Sequence, residues 1–276
     1  MTATKPYPRT YRMFVDGTYS NGGEDRYVTH PKFAIDPIHH IRAFELIQKD
    51  VIELFDYIEP ADSNEKCYSY RIHSLLLRLC IEFEDNVKAI LYENGFEKRD
   101  KSGKLIRLNI SDYKKIESTH FLSKFEVKLP FWSGIKGDRK PFLDWKNGHN
   151  SLTWYEAYND IKHDRRQKFT QANFGNLIDA YCGLLVLLTS QFGLNDFIPR
   201  TSVLALAGSS DGFESPIGGY LRIKFPQSIP VNERYEFRWT DIQNDNEPFD
   251  KIDYLKMYKE KLITKSVDNN LLENDV

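Results

Sequence analysis

Four stretches of this chain repeat apolar residues at steps of three and four, and that spacing confines its centre to packed helices. The first follows Pro37, where Ile38, Ile41, Phe44, Ile47, Val51, Leu54 and Phe55 form a stripe widened by Leu46, Ile52 and Ile58. Pro60 and the Ala-Asp-Ser-Asn that follows break it. The second runs from near Cys67 to Asn94-Gly95 through Ile72, Leu75, Leu76, Leu79, Ile81, Phe83, Val87, Ile90 and Leu91. The third carries Trp154, Tyr155, Tyr158 and Ile161, with Ser151 or Thr153 as its cap. The fourth has one broad packing stripe, Phe169, Ala172, Asn173, Leu177, Ala180, Tyr181, Leu184, Leu187 and Leu188, and ends at Phe192-Gly193. Each stripe must be buried against another element, and four such helices suffice for a bundle.

The remaining sequence reads differently. Residues 1–35 are turn-rich and aromatic, with MFVDGTYS as a short strand. Residues 96–108 form a charged connection, Ser111 is placed to cap a short helix from Asp112, FEVKLPFW is strand-like, and 133–150 read as loop. After Pro199, Ser209-Ser210-Asp211-Gly212 and Ile217-Gly218-Gly219 are turn signals. Tyr220–Phe225 and Arg234–Trp239 alternate like two strands of a small antiparallel appendage, and Lys251–Leu262 supports a last helix. The expected fold is therefore mainly α, a helical bundle with a small C-terminal β-containing addition. Its expected parts are an extension over 1–35, a helical core over 36–195 with an inserted connection at 96–150, an addition over 196–265, and a flexible tail over 266–276.

With 41% hydrophobic residues, 18 Phe and 16 Tyr, the chain has ample core material, which excludes wholesale disorder. Its 38 basic and 40 acidic residues leave a formal charge of −2, so any nucleic-acid contact must come from a local basic patch. Cys67, Cys80 and Cys182 are too few and too scattered for a disulfide framework or a zinc motif, and the last two sit among apolar neighbours as small buried thiols. The seven histidines, at 30, 39, 40, 73, 120, 149 and 163, show no metal-binding spacing. GSSDG and PIGG match neither a dinucleotide nor a phosphate-loop fingerprint, so no cofactor is expected. Glu233 and Glu236 read as exposed strand charges. No signal-peptide core heads MTATKPYPRT, and the run Cys182–Leu188 is too short to span a bilayer. Cytoplasmic residence without a membrane partner is the expectation.

The densest polar chemistry lies between Trp154 and Lys168. If the helix continues through Arg165, then Tyr158, Ile161 and Arg165 share one face, and Asn159, Lys162, His163 and Arg166 form a polar side. Lys162 brings a fixed charge beside an imidazole that titrates near neutrality. Such a pair can bind a phosphate and move a proton: His163 as acid or base at a 2′-hydroxyl or leaving oxygen, and Lys162 or Arg165 as the charge stabiliser. Lys162, Arg165, Arg166 and Lys168 are the candidate RNA contacts. The alternative readings are structural. Neutral His163 can hydrogen-bond across two helices, Asn159 can make an inter-helix amide bond, Tyr158 suits a core edge, and the basic residues suit solvent. On the second helix, Arg78 and Glu82, like Glu84 and Lys88, stand one turn apart and can pair.

Two pieces, RIHSLLLRLCIEFEDNVKAILYENG at 71–95 and WYEAYNDIKHDRRQKFTQANFGNLIDAYCGLLVLL at 154–188, resemble the HEPN superfamily of helical domains, common in prokaryotic defence and toxin–antitoxin systems. The resemblance implies a helical bundle, a homodimer or another protein partner, and a link to RNA regulation. Catalytic members are metal-independent ribonucleases that carry an Arg, a polar residue after it and a His further on, often in a site shared across a dimer. With His163 as that histidine, the polar position falls on Asn159 and the Arg position on Tyr158, or at longer spacing on Ala157 or Glu156. Tyr cannot supply the permanent charge of Arg. The expectation is thus an interaction or regulatory protein, with a ribonuclease using His163, or a non-cleaving RNA binder, as the alternatives.

Overall fold

In the computed structural model of the chain, which describes residues 2–195, 197 and 212–257, each of the four periodic runs contains a long helix. Phe55 and Ile58 of the first run lie beyond its helix end, and Phe169, Ala172 and Asn173 of the fourth precede its helix start, with Phe169–Gln171 a separate 3-10 turn. The first, α1 (Pro37–Leu54), opens with a proline whose missing N–H falls where no intrahelical partner exists. The second, α2 (Tyr70–Glu93), begins after Ser69, whose hydroxyl accepts from Ile72 N at 3.2 Å. The third is α3 (Thr153–His163). The fourth, α4 (Phe174–Phe192), is capped by Asn173, whose side chain accepts from Asn176 N at 3.0 Å. It stops at Gly193, whose φ of 61° is one that glycine adopts without strain.

Two expected caps are replaced by others. Neither Ser151 nor Thr153 caps α3: Leu152 holds that position, and Asp144 accepts from the backbone N (2.8 Å) and hydroxyl (2.9 Å) of Thr153. The short helix Ile110–Tyr113 is capped by Asn109 rather than Ser111, with Asp112 completing a reciprocal capping box.

Packing follows most of the stripes, but Ile38, Leu46 and Ile81, expected on them, are exposed. α2 and α4 form the central pair, and α1 and α3 each lie against both. α4 is buried on every side from Ala180 to Phe192, not along the single stripe expected, because three helices surround it. Gly183 permits the closest approach: a Cβ there would stand 3.0 Å from the Trp154 indole of α3.

The β addition is a three-stranded antiparallel sheet of β1 (Glu126–Lys128), β2 (Asp138–Arg139) and β3 (Arg222–Lys224), in the order β2-β1-β3. Its middle strand comes from the segment between α2 and α3. The Arg234–Trp239 stretch does not pair with β3. Instead Tyr235 bridges Ala3 and Phe14, and Trp239–Ile242 is a helical turn. Aromatic burial decides this. The Tyr235 ring is fully buried against Phe14, Tyr27 and Phe237 at centroid distances of 5.9, 5.7 and 5.3 Å, which a two-stranded appendage could not provide.

Two buried cations tie the periphery to the bundle. Arg9 donates to Glu93 Oε1 at 2.6 Å and to Gln191 Oε1 at 3.1 Å, fixing the N-terminal segment to the ends of α2 and α4. Arg139 of β2 donates to Glu65 at 2.8 Å and to Asp179 of α4 at 3.1 Å, with its guanidinium 4.6 Å from the Trp132 ring centre. Of the last helix expected over Lys251–Leu262, residues 254–257 are helical. Residues 251–253, expected at its start, are not helical, and residues 258–262, the 266–276 tail and Ser209–Asp211 lie outside the described residues. No helix among the described residues is long and apolar enough to cross a membrane.

Candidate functional site

The YNDIKHDR segment forms the C-terminal half of α3, and the helix does not continue through Arg165. It breaks at Asp164 (φ −139°, ψ 64°), whose carboxylate accepts from Gln167 N at 3.2 Å and so starts a separate turn, Arg165–Lys168. The expected face is therefore split. Tyr158 and Ile161 are buried, whereas Arg165 is exposed beyond the break.

Beneath the polar side lies a network shared with α2. Tyr155 donates its hydroxyl proton to Glu84 at 2.9 Å, and Lys88 pairs with the same carboxylate at 3.2 Å, as the one-turn spacing of Glu84 and Lys88 predicts. Burial works to raise the Glu84 carboxyl, but the bonds from Tyr155 and Lys88 hold it below its usual range. Burial, and then the Glu84 carboxylate, push the Tyr158 phenol upward, so it stays neutral at physiological pH. Lys162 donates to that phenol oxygen at 2.9 Å and lies 4.8 Å from the ring centre. Tyr158, where the resemblance expected Arg or its replacement, is thus a buried neutral hydroxyl, and it takes up one donor of the nearest lysine.

His163 is exposed, with no hydrogen bond or ion pair among the described residues, so it does not close the bundle. Asn159 is half-exposed and neither orients His163 nor makes an inter-helix amide bond. Arg165 and Arg166 are exposed on the turn after the break, and Lys168 reaches back to Asp160 at 3.6 Å. The proposed supporting pair is elsewhere. Arg78 pairs with Asp50 of α1 rather than Glu82, because the i+4 carboxylate competes with one brought in by the neighbouring helix. Glu82 is half-buried on that α1 side, its carboxyl raised by burial and by Asp85.

The structure therefore brings Tyr158 and Lys162 together and leaves His163, Arg165 and Arg166 exposed, with no hydrogen bond or ion pair linking them among the described residues. This turn can attract an anion, but it lacks a group that would hold the imidazole in one tautomer and orientation. Sequence reasoning missed the acceptor at its centre, Glu84. The signal was present in the Glu84–Lys88 spacing and in Tyr155, but the contact joins residues 71 positions apart. It also missed a group of lysines on the β1 side, Lys124, Lys140, Lys146 and Lys224, drawn from four separate segments.

No group of three or more His, Cys, Asp or Glu among the described residues is placed to hold a metal. Cys80 and Cys182 are buried, and burial raises both thiols, which keeps them protonated. Fold and site together define a mainly α-helical protein with a four-helix centre, a small three-stranded sheet and an exposed basic turn. No protein-family model, curated protein or solved structure matches the chain.

Proposed function

We propose that this chain is a HEPN-like interaction or regulatory protein that binds RNA without cleaving it, using the turn after α3. The observation that carries this reading is the exposure of His163, Arg165 and Arg166 together, with no residue bonded to the imidazole. Exposed cations serve phosphate attraction. General acid–base catalysis needs an aligned imidazole, and the nearest lysine is engaged by a buried phenol. A second reading, cleavage in a site completed by another copy of the chain, draws on the same exposure of His163.

The test is fluorescence anisotropy with a mixed-sequence RNA panel in chelator, with the products run on denaturing gels and the protein's oligomeric state followed by light scattering. Salt-sensitive binding without products, weakened by Arg165→Gln/Arg166→Gln, is the expected outcome. Products abolished by His163→Ala would move the assignment to a ribonuclease. Absence of binding at low salt would remove the RNA reading.

A further inference from the structure

We infer that the cleft lined by Lys124, Lys140, Lys146 and Lys224 is a second contact for the phosphates of a bound RNA strand. The inference takes its class of ligand from the RNA-binding reading above, and it involves none of the residues of the α3 turn. The cleft measures about 410 Å³, more than a single phosphate group fills. Its lysines come from the turn before β1, the residue after β2, the short helix Leu143–Lys146 and strand β3. Four lysines from four segments line it in a chain whose overall charge is −2.

The lining holds one carboxylate, Glu126. It already pairs with Lys140 at 2.8 Å, and the register also places it opposite Lys224. Lys124 donates to the Ser228 carbonyl at 2.7 Å and lies 5.2 Å from the Phe121 ring centre, contacts that bring no carboxylate to it. Lys146 is exposed and has no hydrogen bond or ion pair among the described residues. The positive charge therefore exceeds what the local fold neutralises, and it faces an open concavity, where it attracts an anion most effectively.

The side-chain chemistry narrows the ligand further. Lysines bind phosphate as point charges, without the fixed fork by which arginine selects planar carboxylates. The one aromatic residue in the lining, Phe225, is buried against Tyr19 and Phe125 at 4.9 and 5.6 Å, so no free ring is offered for base stacking. A cleft with cations and no stacking platform reads the backbone, not the bases. Lys146 and Lys224 lie 78 positions apart in sequence, and the β1–β3 pairing brings Lys224 to the side of the other three.

The test compares Lys146→Gln/Lys224→Gln with the Arg165→Gln/Arg166→Gln variant and the unchanged chain, after circular dichroism has established that each is folded. RNA affinity is measured by anisotropy across salt concentrations, and tripolyphosphate and polyglutamate are titrated separately by calorimetry. If two phosphate contacts are lost, the salt slope should flatten by about 1.4 and affinity at 0.1 M salt should fall roughly 25-fold. Tripolyphosphate should bind the unchanged chain and the arginine variant but not the lysine variant. RNA binding unchanged in the lysine variant, with a loss confined to the arginine variant, would overturn the cleft while sustaining the α3 turn. Tripolyphosphate binding that needs both lysines, with no RNA binding at all, would keep a phosphate site and remove both its RNA ligand and the reading above. Polyglutamate binding as tightly as RNA of equal charge would overturn the assignment to phosphates.

Discussion

Arg139 offers the sharpest test of how the sheet is held to the bundle. It is 7% exposed and donates to two carboxylates, Glu65 ahead of α2 and Asp179 on α4, while packing over Trp132. Its Nε is buried without a partner, so the arrangement already carries an unsatisfied donor. Arg139→Met keeps much of the volume and removes the charge, leaving two carboxylates facing each other. Breaking a buried pair from one side costs about 3–5 kcal/mol. Asp179 keeps a third of its side-chain surface exposed and Lys136 also pairs with Glu65, so solvent and a second cation relieve part of the loss. The lower end, about 3 kcal/mol, is the expected cost at pH 7. At roughly 2–4 °C per kcal/mol for a chain approaching this size, that lowers the melting midpoint by about 6–12 °C. Urea and thermal unfolding followed by circular dichroism read the change. The deficit should shrink at pH 4.5, because burial raises the Asp179 carboxyl and the loss of Arg139 removes the charge that opposes its protonation. Adding Glu65→Gln and Asp179→Asn should restore stability to within about 1 kcal/mol, because a neutral cluster carries no unpaired charge. A single-variant cost below about 1 kcal/mol, or the same cost at both pH values, would refute the argument.

Two further outcomes follow from the buried polar groups. Desolvation, aided by Arg9 at His40 and by Arg12 at His120, lowers both imidazoles to about 4 in the folded protein. Between pH 6.5 and 4 the unfolded chain protonates these histidines while the fold keeps them neutral, so stability should fall with pH by up to roughly 3 kcal/mol for each. Urea midpoints measured from pH 7 to 4.5 check this, and a His120→Gln variant with an unchanged slope would contradict it. At the α3 turn, Tyr158→Phe should cost about 1 kcal/mol by removing the acceptor of Lys162, whereas His163→Ala should stay within about 0.5 kcal/mol. The same urea titration reads both, and a larger loss for His163→Ala would show that the imidazole is structural.

The helices were legible because their determinants are local. The stripe from Ile38 to Leu54 and the Phe192-Gly193 stop require only the spacing of neighbouring residues, and both appear where that spacing places them. What escaped the sequence depends on contacts between distant segments. Thr153 is capped by Asp144 and Arg78 is claimed by Asp50, in each case by a carboxylate that the fold brings close. Tyr235 leaves its expected hairpin because the ring cluster of Phe14, Tyr27 and Phe237 spans more than 200 positions of chain.

The same distinction separates the two basic surfaces. KHDRRQK draws attention because its cations are contiguous, yet contiguity on a helix spreads side chains around the axis. The structure then diverts Lys162 to Tyr158 and Lys168 to Asp160. Lys124, Lys140, Lys146 and Lys224 are unremarkable in sequence, each an ordinary surface lysine, and become a cleft only through the pairing of β1 with β3 and the packing of Leu143–Lys146 beside the turn before β1. Electrostatic attraction depends on proximity in space and on a concave setting, so scattered lysines that line one cleft can rival a contiguous basic run in a chain with no net positive charge to spare. A basic run in sequence marks where cations are made together; the sheet register decides where they act together.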